Sequence, residues 1–75
     1  MNTVQLECFI TVAEHLNFSR ASEILRITQP AVSHQIRTLE GELGVKLFRR
    51  TSKSVALTTE GIQFLPDAEL IVKTA

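Results

Sequence analysis

The stretch "TQPAVSHQIRTLEGELG", residues 28–44, decides how the chain is read. Val32, Ile36, Leu39 and Leu43 recur at spacings of four, three and four, which puts them on one stripe of an α-helix. Gln29, Pro30, Ser33, His34 and Arg37 fall on the opposite side. Thr28 is placed to cap the helix, and Pro30 sits in its first turn, where a missing N–H costs nothing. Gly41 weakens the last turn, and Gly44 follows it as a terminator. The apolar stripe suits a core. The polar side is short, rich in hydrogen-bonding groups and crowded into the N-terminal half, so it calls for a different use.

Upstream, Leu6, Phe9, Ile10, Ala13 and Leu16 keep helical spacing over residues 3–16, with Asn2 and Gln5 placed for a capping box. "LNFS" breaks this helix. Ser19 is then expected to cap a short helix over about 20–26, with Ala21, Ile24 and Leu25 turned inward. "RIT" is a tight connection, and Ile27 is expected to plug the gap between this helix and the next.

Downstream, Val55 and Leu57 alternate with Ser54 and Ala56, while Leu47 and Phe48 precede the polar run Arg49 to Ser54. This predicts a short β-hairpin with a basic tip. Arg49 and Arg50 are adjacent on a strand and must point to opposite faces. Thr58 caps a fourth helix over about 59–75, with Glu60 in its first turn. Pro66 inside it predicts a bend or a break.

Bulk properties narrow the classes. Seventy-five residues make one small domain, 44% hydrophobic and 21% charged, with no low-complexity run or repeat. The single cysteine, Cys8, excludes an internal disulfide framework and fits a reducing compartment. No signal peptide or membrane-spanning stretch is evident, so the expectation is a soluble cytoplasmic protein with no membrane partner. Net charge is zero but uneven. Residues 1–18 carry Glu7 and Glu14 and no Lys or Arg. Residues 19–57 carry Arg20, Arg26, Arg37, Lys46, Arg49, Arg50 and Lys53 against Glu23, Glu40 and Glu42, and residues 58–75 are acidic again. A local basic footprint is what a surface binding a polyanionic backbone needs, whatever the total.

No nucleophile–base pair and no glycine-rich phosphate loop appears, and Glu40 and Glu42 have no partner for acid–base work, which argues against an enzyme. Cys8, His15 and His34 lack metal-ligand spacing, so neither a metal nor a cofactor is expected. Helix, short helix, tight turn, helix, hairpin and long helix together spell a mainly α winged helix-turn-helix: a three-helix core, a short β-hairpin wing and a long linker helix. In that arrangement the third helix, residues 29–40, enters the major groove of double-stranded DNA by its N-terminal half. The basic wing, residues 49–54, lies on the backbone or in the minor groove. A pure protein-docking face would put aromatics and Met outward, whereas Gln, Ser, His and Arg suit base edges and phosphates.

"LECFITVAEHLNFSRAS", "TQPAVSHQIRTLEGELGVKLF" and "LTTEG" together resemble the N-terminal DNA-binding domain of LysR-type transcriptional regulators, across essentially all 75 residues. The resemblance implies sequence-specific binding to duplex DNA in regulating transcription. Carried over by position, it implies a base-reading face of Gln29, Pro30, Ser33, His34 and Arg37, backbone contacts from the wing at Arg50 and Lys53, and Thr28 near the phosphates. Position 34 is more often Arg or Lys in the family, position 49 is often acidic, and the wing tip often holds glycine where this chain has "TSKS". The resemblance also implies division into a DNA-binding domain, residues 1–58, and the start of a linker helix, residues 59–75. The resemblance further implies that the linker helix forms a homodimer on an inverted-repeat operator, and that a complete member can assemble as a dimer or a tetramer. An effector-binding domain outside this chain would take the small-molecule inducer. Gly61, Leu65, Ala68, Val72 and Ala75 are spaced four, three, four and three, which predicts a seam for the partner helix with Leu65, Ala68 and Val72 as its contacts.

Overall fold

The computed structural model describes all residues, 1–75. The elements run α1 (Thr3–His15), α2 (Phe18–Leu25), α3 (Gln29–Leu43), β1 (Phe48–Arg50), β2 (Val55–Leu57) and α4 (Thr59–Thr74). The strands form an antiparallel hairpin with Phe48 opposite Leu57, Arg49 opposite Ala56 and Arg50 opposite Val55. The fold is a mainly helical winged helix-turn-helix.

Local hydrogen-bond chemistry sets most boundaries. Asn2 and Gln5 exchange side-chain and backbone bonds at 2.8 and 2.9 Å, a complete capping box. The Thr28 hydroxyl accepts from the Ala31 N–H and the Thr58 hydroxyl from the Gly61 N–H. Gly44 closes α3 at φ 73°, a conformation that costs glycine nothing. Two non-glycine residues adopt the same left-handed geometry, Leu16 after α1 and Arg26 after α2.

The core joins all four helices to the hairpin. Phe9, Leu6, Val12, Val32, Ile36, Leu39 and Leu47 are fully enclosed. Phe9 contacts the rings of Phe48 and Phe64 at 5.5 and 5.6 Å, tying α1 to β1 and α4. Cys8 is buried among them, and burial, followed by the neighbouring charge of Glu7, raises its thiol above the ordinary value. It is a small core residue with little thiolate to react.

Several expectations are corrected. α2 starts at Phe18, capped by Asn17, whose side chain accepts the Arg20 N–H at 2.9 Å; Ser19 lies inside the helix. With that start the inward stripe is Phe18, Ala21 and Leu25, and Ile24, a helical step away from it, is 45% exposed. Ile27 does not plug the interhelical gap. The left-handed turn at Arg26 swings the chain outward, the Ile27 N–H closes back on the Ser22 carbonyl, and its side chain stays on the rim. Leu16 likewise ends exposed. Pro66 does not break α4, which runs on to Thr74; the carbonyl that loses its partner belongs to Ile62, an exposed residue.

The largest correction concerns α4. Ala68 is fully buried in this chain's own core, and Leu65 and Val72 are half-buried against it, so the small-residue stripe is occupied from within. Gly61 belongs to the same packing. A Cβ there would collide with the Leu47 carbonyl oxygen, because Thr58 binds the 46–47 backbone through its own N–H and hydroxyl and pulls the first turn of α4 against it. The large apolar residues Ile62, Leu70 and Ile71 face outward instead.

Candidate nucleic-acid interface

One face of the molecule collects the N-terminal half of α3, the first turn of α2 and the wing. Gln29, Pro30, His34 and Arg37 are exposed along α3, and Thr28 stands at its head. Lys53 is exposed at the wing tip. Gln29 and Lys53 line one cleft with Arg50, and Arg37 lines a second cleft with Arg50.

Ser33 does not lie open with them. It is 7% exposed, and its hydroxyl accepts a hydrogen bond from Arg50 Nη1 at 3.3 Å. The reason is positional. Ser33 adjoins Val32 and precedes Ile36 by one turn, so it sits on the edge of the buried stripe, and the hairpin folds over it. Arg50 follows Phe48 by two residues on β1 and shares its inward face. Its guanidinium carbon lies 4.0 Å from the centroid of the Phe18 ring. Phe18 in turn meets Phe48 edge-on at 5.8 Å. Arg49 points the other way, opposite Ala56.

Gln29 is also held. The Ser19 hydroxyl donates to its side-chain oxygen at 3.0 Å, which orients the amide nitrogen. A carbonyl oxygen has two lone pairs, so one acceptor site and both N–H donors remain free. The wing tip is ordered without glycine. The Thr51 hydroxyl accepts from the Lys53 and Ser54 N–H groups at 3.3 and 3.0 Å, and the Thr51 N–H donates to the Ser54 carbonyl at 2.9 Å. A threonine hydroxyl thus fixes the turn that carries Lys53.

The charges are arranged unequally. Arg20 pairs with Glu23 at 3.5 Å on the surface. Arg26, Arg37, Lys46, Arg49, Arg50 and Lys53 have no carboxylate within ion-pair distance. The acids that could neutralise them are bound elsewhere. Glu40 is buried and accepts the Leu47 and Phe48 N–H groups at 2.7 and 3.4 Å. Glu42 accepts from the N-terminal ammonium and from Gln5 Nε2, and those two bonds, in that order, hold its carboxyl below the usual range. Two clefts flank Arg50. One, of about 280 Å³, runs between Asn17–Ser19, Gln29 and the wing tip; the other, of about 250 Å³, lies between α3 and β1 and is edged by Arg37 and Lys46.

Sequence reasoning gave no place at the interface to Phe18, to Ser19, which it read only as a helix cap, or to Glu40. Asn17 before an aromatic was a cap signal hidden inside a segment read as a break. Glu40 stands four residues after Ile36, on the buried stripe, and a carboxylate there implies a backbone partner.

The sequence pattern described as "Bacterial regulatory helix-turn-helix protein, lysR family" matches residues 3–62. The chain belongs to the LysR family. Among its relatives, the "Glycine cleavage system transcriptional activator" of Escherichia coli (strain K12) is 52% identical over 66 residues, covering 88% of this chain and 22% of that protein. The "HTH-type transcriptional regulator HdfR" of Salmonella newport (strain SL254) is 46% identical over 74 residues, covering 99% of this chain and 27% of that protein. The LysR-family chain thus spans about a quarter of the length of these relatives. The crystal structure of the CbnR DBD–DNA complex superposes on it with a TM-score of 0.95 at 39% identity, covering 99% of this chain and 85% of that one.

Proposed function

We propose that this LysR-family chain is the sequence-specific, double-stranded-DNA-binding domain of a transcriptional regulator. The observation that carries the reading is the shared face: unpaired cations frame the hydrogen-bonding half of α3 and continue onto the wing. Both relatives bear the names of transcriptional regulators, and the CbnR structure is that of a DNA complex. Binding, not catalysis, is the function.

In this reading α3 enters the major groove. Gln29 offers both a donor and an acceptor and matches adenine, Arg37 matches guanine or a phosphate, and Pro30 and His34 complete the contact surface. Thr28 places the positive end of α3 near a phosphate. Arg50 and Lys53 hold the backbone beside the wing. Two chains pair through α4 by the outward Ile62, Leu70 and Ile71, and present their α3 helices to an inverted repeat. Any inducer acts through a domain outside this chain.

Selection from a random duplex library, followed by binding across a salt series, tests the proposal. The expected result is an enriched inverted repeat and an affinity that falls steeply with salt, by about 0.9 log units per log unit of salt for each neutralised phosphate. A flat salt response with no enriched sequence overturns it.

A further inference from the structure

We infer that Phe18 is a positioning residue for DNA recognition, and that Ser33 acts through Arg50 and not on bases. The inference rests on the DNA-binding reading above. An arginine at the root of a wing is ordinarily a long, freely rotating cation. Here it is held at two points that lie on different elements. The Phe18 ring, the first residue of α2, supports the guanidinium from beneath, and the Ser33 hydroxyl of α3 receives one of its N–H groups. Phe18 is itself fixed, 4% exposed and packed edge-on against Phe48. Ser33 gives one acceptor site to Arg50 and, at 7% exposed, has little surface to offer a base edge.

The held group lies between the two clefts, at the junction of α3 and the wing. When α3 lies in a major groove and the wing reaches the adjacent minor groove, the sugar-phosphate ridge separating those grooves passes over this junction. The rest of the guanidinium fork is then already aimed at a phosphate, a planar donor set that matches its oxygens. Holding it there beforehand removes the rotamer entropy that an unrestrained arginine loses on binding. The same turn of α2 orients Gln29 through Ser19, so this short helix sets two groups of the DNA-facing surface while contributing few contacts of its own.

The test is a pair of double-mutant cycles on a mixed-sequence duplex across a salt series, with NMR of the Arg50 guanidinium in the free protein. Arg50→Ala is expected to lower the salt slope by about one. Phe18→Leu keeps an apolar side chain but removes the π face, and should weaken binding about three- to tenfold, the span of a partly exposed cation–π contact. Ser33→Ala should weaken it similarly. In the Arg50→Ala background both losses shrink to less than about twofold, because coupled residues are not additive. In the parent, the guanidinium resonances carry the ring-current shift of Phe18, and Phe18→Leu removes it. If Phe18→Leu fails to fold, the Ser33 cycle decides alone. Losses of equal size in both backgrounds, or a change of base preference on Ser33→Ala that survives Arg50→Ala, overturn the inference. A parent that binds no duplex at all overturns the DNA-binding reading instead, and the guanidinium shift still reports whether the group is held.

Discussion

Helices α3 and α4 have nearly the same length, 15 and 16 residues, and both carry apolar residues at helical spacing, yet they use that spacing in opposite ways. On α3 the large residues Val32, Ile36 and Leu39 are buried together with Ser33 and Glu40, while Gln29, His34, Arg37 and Thr38 are exposed. On α4 the small residues Gly61 and Ala68 are the buried ones, while Ile62 and Leu70 are 61% and 60% exposed. α3 has one apolar side and its fold is complete. α4 has two, and its inner side is satisfied by α1 and the hairpin. A helix that buries its small residues and shows its large ones is packed closely on one side and unfinished on the other.

The contrast can be broken most severely by placing charge on each helix in turn. Val32→Asp buries a carboxylate without a partner, which costs more than a small domain's margin of about 5 kcal/mol. Circular dichroism should show no cooperative melt. Leu70→Glu, the matching change on the outer side of α4, should leave the melt in place and shift sedimentation toward monomer. A Leu70→Glu chain that melts like Val32→Asp would mean that α4 is buried on both sides.

Glycine sharpens the same comparison at smaller scale. Gly61→Ala pushes a methyl into the Leu47 carbonyl, a backbone atom that cannot turn aside. Stability should drop by about 1–3 kcal/mol, lowering the melting temperature by roughly 4–8 °C for each kcal/mol in a domain of this size. Gly41→Ala on α3 meets open space and removes a weak helix former, so it should raise stability by about 0.5–1 kcal/mol. A thermal melt of each variant checks both signs.

The smallest effect lies at the C-terminal end of α3. The lowered carboxyl of Glu42 favours the folded state while it is ionised. That contribution is present above the unfolded carboxylate value of about 4.3 and is lost as pH falls through the folded one. The melting temperatures of the parent and of Glu42→Gln should therefore differ at neutral pH and converge on acidification. A gap that stays constant into acid would assign the difference to packing.

What was legible in the sequence was local. Asn2, Thr28, Thr58 and Gly44 announce helix ends because a side chain or a missing Cβ acts within a few residues of itself. The wing was legible through alternation. Ser33 was misplaced because periodicity assigns a side of a helix but not the height of what packs against it, and Arg50 arrives from 17 positions away. The seam of Leu65, Ala68 and Val72 was a real stripe given to the wrong neighbour: spacing identifies a surface that will be covered, not the chain that covers it. Phe18 was hidden because its work depends on a residue far along the chain, and no local pattern records that.

Glu40 gives the reading face its dimensions. Its carboxylate, rooted in the last turns of α3, accepts the amides of Leu47 and Phe48 as the chain enters β1. Helix and hairpin are thereby riveted at their common base, where a simple loop would have let them splay. The molecule carries its own caliper. On the proposed docking, the gap between the helix and the wing is set before any duplex arrives, so a duplex whose neighbouring grooves are too widely or too narrowly spaced would itself have to deform.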